Sequence, residues 1–133
     1  MGLLQKFESR LEQLVSGPMM RHLVFHLAAV DDLQFLHSIK VGDMIILKSR
    51  VTCVFNTSLE VQVDVFSEET LTGKRQLTST AFLTFVAIDR NGGRVGVPPL
   101  VVETEDEKRI CAEAHERRAA RLRKKAGAAG RTQ

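Results

Sequence analysis

Hydrophobic positions recur along this chain with two periods, and the change of period divides it. Over residues 3–15, Leu3, Leu4, Phe7, Leu11, Leu14 and Val15 fall at three- and four-residue spacing, with Glu8, Arg10, Glu12 and Gln13 between them. That spacing gathers the apolar side chains on one face of a helix, and Ser16-Gly17-Pro18 stops it. Residues 21–36 carry apolar side chains on both parities, and their second half reads as a strand from its neighbours. After a Lys40-Val41-Gly42-Asp43 turn the period becomes two. Ile45, Leu47, Val51, Cys53 and Phe55 share one parity, and Lys48, Arg50 and Thr52 the other. Residues 59–66 alternate Leu59, Val61, Val63 and Val65 against Glu60, Gln62 and Asp64. Residues 75–89 alternate Leu77, Ala81, Leu83, Phe85 and Ala87 against Thr78, Thr80 and Thr84. Successive side chains leave opposite faces of a pleat, so each segment predicts a half-buried strand. Short links at Asn56-Thr57-Ser58 and Thr72-Gly73-Lys74 join the three into an antiparallel meander, wet on one face. Leu59, Val61, Val63 and Val65 are expected in the core, and Glu60, Gln62 and Asp64 in water.

The stretch Asp89 to Pro99 (DRNGGRVGVPP) is a Gly/Pro loop that ends the sheet. Thr104 followed by Glu107 forms a capping box, hydroxyl and carboxylate each satisfying a free amide at a helix start. The helix from about 104 to 125 has few apolar residues, and Gly127 to Gln133 is expected to fray. With so little to offer a core, residues 119–133 are expected to be dispensable for folding.

Charge sharpens the division. The chain of 133 residues has a formal charge of +3. Residues 117–131 hold Arg117, Arg118, Arg121, Arg123, Lys124, Lys125 and Arg131 and no acid, so the rest is mildly acidic and the basic, partner-seeking feature is a tail. A nucleic-acid reading would rest on that tail alone, and with no Trp or Tyr there is little base-stacking surface. Nucleic acid is therefore not an expected partner. No run of apolar residues approaches the roughly 20 that a membrane helix needs, and the acids Glu8 and Glu12 spoil a transit peptide. Two cysteines, Cys53 and Cys111, are too few for a disulfide framework or a four-ligand zinc site, so a reducing, cytoplasmic setting is expected.

No self-sufficient catalytic set is visible: the sequence has no GxSxG, HExxH, P-loop or GxGxxG. His22 and His26 could share a face as metal ligands but have no third partner, so no metal is expected. Asp31-Asp32 could be an acid/base pair, yet neighbours on a strand point apart. Cys53, on an apolar parity, reads as a small buried residue rather than a nucleophile, and Cys111 sits on a polar helix.

The order of segments carries a resemblance. A-V-D-D-L-Q-F (29–35), K-V-G-D (40–43), V-F-N-T-S-L-E-V (54–61), L-T-G-K-R (71–75), A-F-L-T-F-V-A-I-D (81–89) and V-P-P-L-V-V-E-T-E-D-E-K-R (97–109) follow one another over about 90 residues. Singly each is weak. In this order, residues 28–118 resemble the acyl-CoA thioesterases of the hotdog fold. The resemblance implies an α+β protein, a curved antiparallel sheet around a helix with a C-terminal helix across or beyond it. It divides the chain into an N-terminal helix at 1–20 in or near the central-helix position, a hotdog sheet at 21–103, and a charged helix with a basic tail at 104–133.

The same resemblance implies hydrolysis of acyl-CoA to fatty acid and free CoA, without a cofactor, at sites formed between the subunits of a homo-oligomer. The family's catalytic Asn (or His) and acid lie in an N-H-x-G-x-x-F-G-G-like loop and central helix. Residues 1–28 hold no such loop, and neither Glu8 nor Glu12 aligns to the acid. The expectation is thus a chain truncated at its N-terminus, with catalytic residues unknown, or a non-catalytic hotdog module that oligomerises with a full-length enzyme. The binding end does carry over. Asn56, Thr57 and Ser58 match a family loop near the CoA phosphate or pantetheine, and Arg50, with Lys48, could add charge for the 3′-phosphate. Ordinary turn chemistry and a solvated surface are the alternative readings of these residues.

Overall fold

A computed structural model describes residues 24–130; the helix expected over residues 3–15, with Glu8 and Glu12, lies outside the described residues, as does His22. Four strands and one helix follow in order: β1 (Val24–Phe35), β2 (Met44–Val54), β3 (Ser58–Glu68), β4 (Arg75–Ile88) and α1 (Glu105–Ala129). The strands form one antiparallel sheet in the order β1-β4-β3-β2. The expected meander is β2-β3-β4, and β1 adds to it along β4. The turn at 40–43 closes as read, with the Asp43 amide donating to the Lys40 carbonyl (3.1 Å) and the Lys40 amide to the Asp43 carboxylate (3.1 Å). Gly42 takes φ +100° there, a conformation open to glycine.

One face of the sheet is apolar. Val51, Leu59, Val61, Ala87 and Val97 are buried together, and Phe25, Val54, Val63, Phe85 and Leu100 pack against them. The loop after β4 supplies Val97 and Leu100 to this cluster. Thr104 then opens α1 on the opposite face. The capping box is formed: the Glu107 amide donates to Thr104 Oγ1 (3.1 Å), and the Thr104 amide to the Glu107 carboxylate (3.3 Å). Replacing Thr104 by alanine should cost about 1 kcal/mol, the usual worth of an N-cap side chain, read as a lowered urea midpoint with the slope unchanged.

Two expectations about faces are corrected. The register of β2 on β3 shifts between Val51 and Cys53: Val51 pairs with Val61, Cys53 pairs with Glu60, and Thr52 is the extra residue of a β-bulge. A bulge breaks the two-residue period, so Cys53 leaves the face of Val51 and packs with Phe55 and Ala114 beneath α1. Nor is the polar face wet. Glu60 is wholly buried, Gln62 and Asp64 are half-buried, and Val63 and Val65 are only half-buried on the apolar side. Helix α1 lies across that face and covers Glu60 through Arg117, while Gln62 and Asp64 are bonded to Arg50 and Thr80 of the sheet.

The helix meets the strands in their spatial order: Cys111 at β2, Arg117 at Glu60 of β3 and Phe82 of β4, and Arg121 at Thr84 of β4 and Asp31 of β1. It also runs further than its composition suggests. Gly127 is helical rather than frayed, and the helix ends where the Gly130 amide donates to the Ala126 carbonyl (3.2 Å). No apolar side chain from residue 119 to residue 130 is buried, but within the segment expected to be dispensable Arg121 is ion-paired to Asp31 of β1.

Candidate functional site

The Asn56-Thr57-Ser58 link is a tight hairpin whose backbone is fixed on three sides. The Phe55 amide donates to the Ser58 carbonyl (2.7 Å), closing the turn. The Asn56 carbonyl accepts from the Val97 amide (2.8 Å), and the Thr57 carbonyl accepts from the Ala87 amide (2.9 Å). With its carbonyls committed to β4 and the following loop, the tip presents an exposed Asn56 and a half-exposed Thr57, while Ser58 is buried at the start of β3. An amide and a hydroxyl held on a rigid turn are suited to hydrogen-bonding phosphate oxygens or the amides of a pantetheine arm.

Arg50 stands apart from that tip, further along β2 on the face that α1 crosses. Its Nε and Nη2 both donate to Gln62 Oε1 (3.2 and 2.8 Å), and Gln62 Nε2 donates in turn to Asp64 (3.1 Å). Lys48, Ser49, Arg50, Asp64 and Phe66 line a shallow depression of about 200 Å³, with the Lys48 ammonium 5.0 Å from the centre of the Phe66 ring. The structure therefore brings Asn56, Thr57 and Ser58 together, and places Arg50 and Lys48 in a second location.

Of the two carboxylates considered for acid/base work, Asp31 is engaged and Asp32 is turned to solvent. Asp31 is held by Arg121 Nη1 (2.7 Å), which also donates to Thr84 Oγ1 (3.1 Å). Asp32 has φ +49° beside a register shift of β1 on β4, and it is exposed. Glu60, which the alternation placed in water, has the most complete shell. Its Oε1 accepts from Thr52 Oγ1 (2.7 Å) and Arg117 Nη2 (2.8 Å), and its Oε2 from Arg117 Nε (3.1 Å). The Arg117 guanidinium lies 3.6 Å from the centre of the Phe82 ring. Such a carboxylate is structural, since three of its roughly four acceptor sites are taken and it has no accessible surface.

Much of the basic run is thereby absorbed. Arg117 and Arg121 are ion-paired to the sheet, and Arg118 sits 5.2 Å from the Phe55 ring; Arg123, Lys124 and Lys125 remain exposed. The sequence did hold a signal for this: Arg117 and Arg121 are four apart, hence on one helix face, as are Cys111 and His115. What it lacked was the partner of each across the fold. Cys53 and Cys111, 58 residues apart, are joined as a disulfide. Cys53 is buried, as its apolar surroundings suggested, but bonded.

Set beside known proteins, this arrangement is familiar. A thioesterase superfamily model matches residues 19–74. The structure superposes on an acyl-CoA hydrolase from Bacillus cereus with a TM-score of 0.73, at 31% identity, over 95% of this chain and 78% of that one. The chain belongs to the acyl-CoA thioesterase family. Its sheet and α1 are those of the hotdog-fold acyl-CoA hydrolases. A Staphylococcus aureus acyl-CoA hydrolase, solved in complex with butyryl coenzyme A, coenzyme A and coenzyme A disulfide, superposes with a TM-score of 0.70 at 26% identity, over 95% of this chain and 80% of that one. The uncharacterized acyl-CoA thioester hydrolase YkhA of Bacillus subtilis is 49% identical over 80 residues, 60% of this chain. The chain spans 46% of the length of YkhA. Among the described residues, no helix is long and apolar enough to cross a membrane.

Proposed function

We propose that this chain binds the CoA portion of acyl-CoA thioesters and serves their hydrolysis to a fatty acid and free CoA, as a cytoplasmic protein of fatty acid metabolism. The observation that carries this reading is the superposition on the Bacillus cereus acyl-CoA hydrolase over nearly the whole chain. The CoA complexes of the Staphylococcus aureus relative favour CoA as the ligand. Asn56, Thr57 and Ser58 are the proposed contacts to the phosphate or pantetheine, and Arg50 with Lys48 the proposed charge for the 3′-phosphate. In the reaction, water positioned by a carboxylate or amide attacks the thioester carbonyl, amides at a helix start hold the oxyanion, and CoA leaves as its thiol. Their separation in one subunit suits a site shared between subunits of a homo-oligomer. Leu27, Val30, Ile45 and Leu47 each remain about half exposed, at 55, 49, 56 and 52%, which supports such an assembly. Residues 1–20 are proposed to fill the central-helix position, with 21–103 as the sheet and 104–133 as the covering helix and tail.

A second reading, a non-catalytic hotdog module that assembles with a full-length thioesterase, is favoured by one sequence fact: residues 1–28 contain no N-H-x-G-x-x-F-G-G stretch. Binding and rate are separable, since contacts to the pantetheine arm give affinity whereas the positioned nucleophile gives rate. Assayed alone by thiol release with a chromogenic disulfide, the chain should hydrolyse palmitoyl-CoA or acetyl-CoA at least about a hundredfold more slowly than the Bacillus cereus hydrolase, the loss that follows removal of a single oxyanion donor. Ordinary enzyme rates from the chain alone would refute the second reading. Activity that appears only on mixing with a full-length homologue would favour it.

A further inference from the structure

Where α1 first meets the sheet, three groups with sulfur and proton chemistry converge. Cys53 Sγ, Cys111 Sγ and a ring nitrogen of His115 lie within 4.8 Å of one another. Cys53 comes from the end of β2 beyond the bulge, and Cys111 and His115 from successive turns of one helix face. Their exposures are graded: Cys53 has no accessible surface, Cys111 is half-buried and His115 is exposed. The His115 ring is held edge-on against Phe55, with centroids 5.0 Å apart and the planes at 86°. The thioesterase reaction proposed above uses none of these groups.

We propose that Cys53 and Cys111 are a reversible dithiol–disulfide couple, oxidised by hydroperoxides and reduced by small thiols, with His115 carrying the proton. The graded burial assigns the roles. Cys111 is the sulfur a reagent reaches, Cys53 is the resolving thiol behind it, and His115 exchanges protons with water. In the oxidising direction, the Cys111 thiolate attacks a peroxide oxygen; the O–O bond breaks, and hydroxide leaves and is protonated to water. The Cys53 thiolate then attacks the sulfenic sulfur, the S–O bond breaks, a second water leaves, and the two thiols have given up two electrons. In the reducing direction, a small thiolate attacks Cys111, and Cys53 departs as a thiolate that takes its proton from the His115 imidazolium. A second small thiol then frees Cys111 and leaves as the oxidised small disulfide.

A metal reading of the same three groups is disfavoured by the backbone. The Cα atoms of the two cysteines are 4.7 Å apart, within the usual disulfide range of about 4.4–6.8 Å, and the joined sulfurs have no thiolate to offer a cation.

The bond also has a mechanical consequence. The ion pairs of Lys108 with Glu105, and of Arg109 with Asp106 and Glu113, stay within the helix. Arg117 and Arg121 tie down its later turns. The cysteine pair is thus the covalent tie for the first half of α1, and its reduction should loosen that half alone.

The test uses the full chain. After hydrogen peroxide, intact mass and non-reducing peptide mapping should show loss of two hydrogens and one Cys53–Cys111 peptide pair. Dithiothreitol added without denaturant should restore both thiols and speed tryptic cleavage at Lys108 and Arg109 severalfold. The His115→Asn variant should be reduced more slowly by glutathione while reaching the same final ratio of thiol to disulfide, a split that a merely structural role would not give. Circular dichroism checks that this variant folds, and the wild-type titration stands without it. Two thiols that survive peroxide, oxidation to sulfonic acid or to linked dimers, a disulfide that native dithiothreitol leaves intact, or one equivalent of zinc on the reduced chain would each overturn the proposal.

Discussion

Replacing Arg117 by methionine is expected to destabilise this protein by about 3–5 kcal/mol, the range found when one partner of a buried ion pair is removed. The guanidinium supplies two of the three hydrogen bonds that the Glu60 carboxylate receives, and Glu60 has no accessible surface. Methionine preserves much of the stem that packs on Phe82, so the loss reports on the charge and not on volume. In the double variant Glu60→Gln, Arg117→Met, most of the stability should return, because the unpaired buried charge is gone. Arg123→Met, on an exposed part of α1, is the control and should change little. Urea denaturation of the four proteins is the measurement. Equal midpoints for the two arginine variants would show that the Glu60–Arg117 pair contributes nothing.

The largest contrast between neighbouring positions is expected at residues 61 and 62. Val61→Asp places a carboxylate among the apolar side chains of Val51, Leu59, Ala87 and Val97, and should cost about 3–5 kcal/mol. Several such losses would exhaust a domain whose total stability is about 5–15 kcal/mol, so Val61→Asp should melt many degrees lower or fail to fold. Gln62→Asp, on the other face beside Arg50, should cost about 1 kcal/mol or less. Thermal melts followed by circular dichroism decide this, and similar losses at both positions would mean that the strand register is wrong.

The strands were legible because period-two alternation is a local property. Leu59 and Val61 proved buried for the reason the pattern gives, and the Thr104–Glu107 capping box lay in four consecutive residues. What the pattern could not carry was long-range. A bulge at Thr52 depends on the partner strand, so alternation alone puts Cys53 on the wrong face. An acid between a leucine and a valine reads as solvated unless a cation 57 residues away arrives to cover it, as Arg117 does for Glu60. The candidate site divides in the same way. Asn56-Thr57-Ser58 is a turn that composition announces, whereas its distance from Arg50 and the engagement of Arg50 by Gln62 appear only with the sheet assembled.

The path of α1 across all four strands gives the helix a role in assembly order. A slip of β3 by one residue would turn Glu60 to the apolar face and leave a valine or leucine beneath Arg117. A similar slip of β1 would carry Asp31 away from Arg121. The helix has little apolar surface with which to dock on a misaligned sheet, so its binding is conditional on correct pairing of strands distant in sequence. It should therefore join late, after β2, β3 and β4 have paired, and withhold its stabilisation from every misregistered sheet. In that sense α1 proofreads the alignment of the strands it covers.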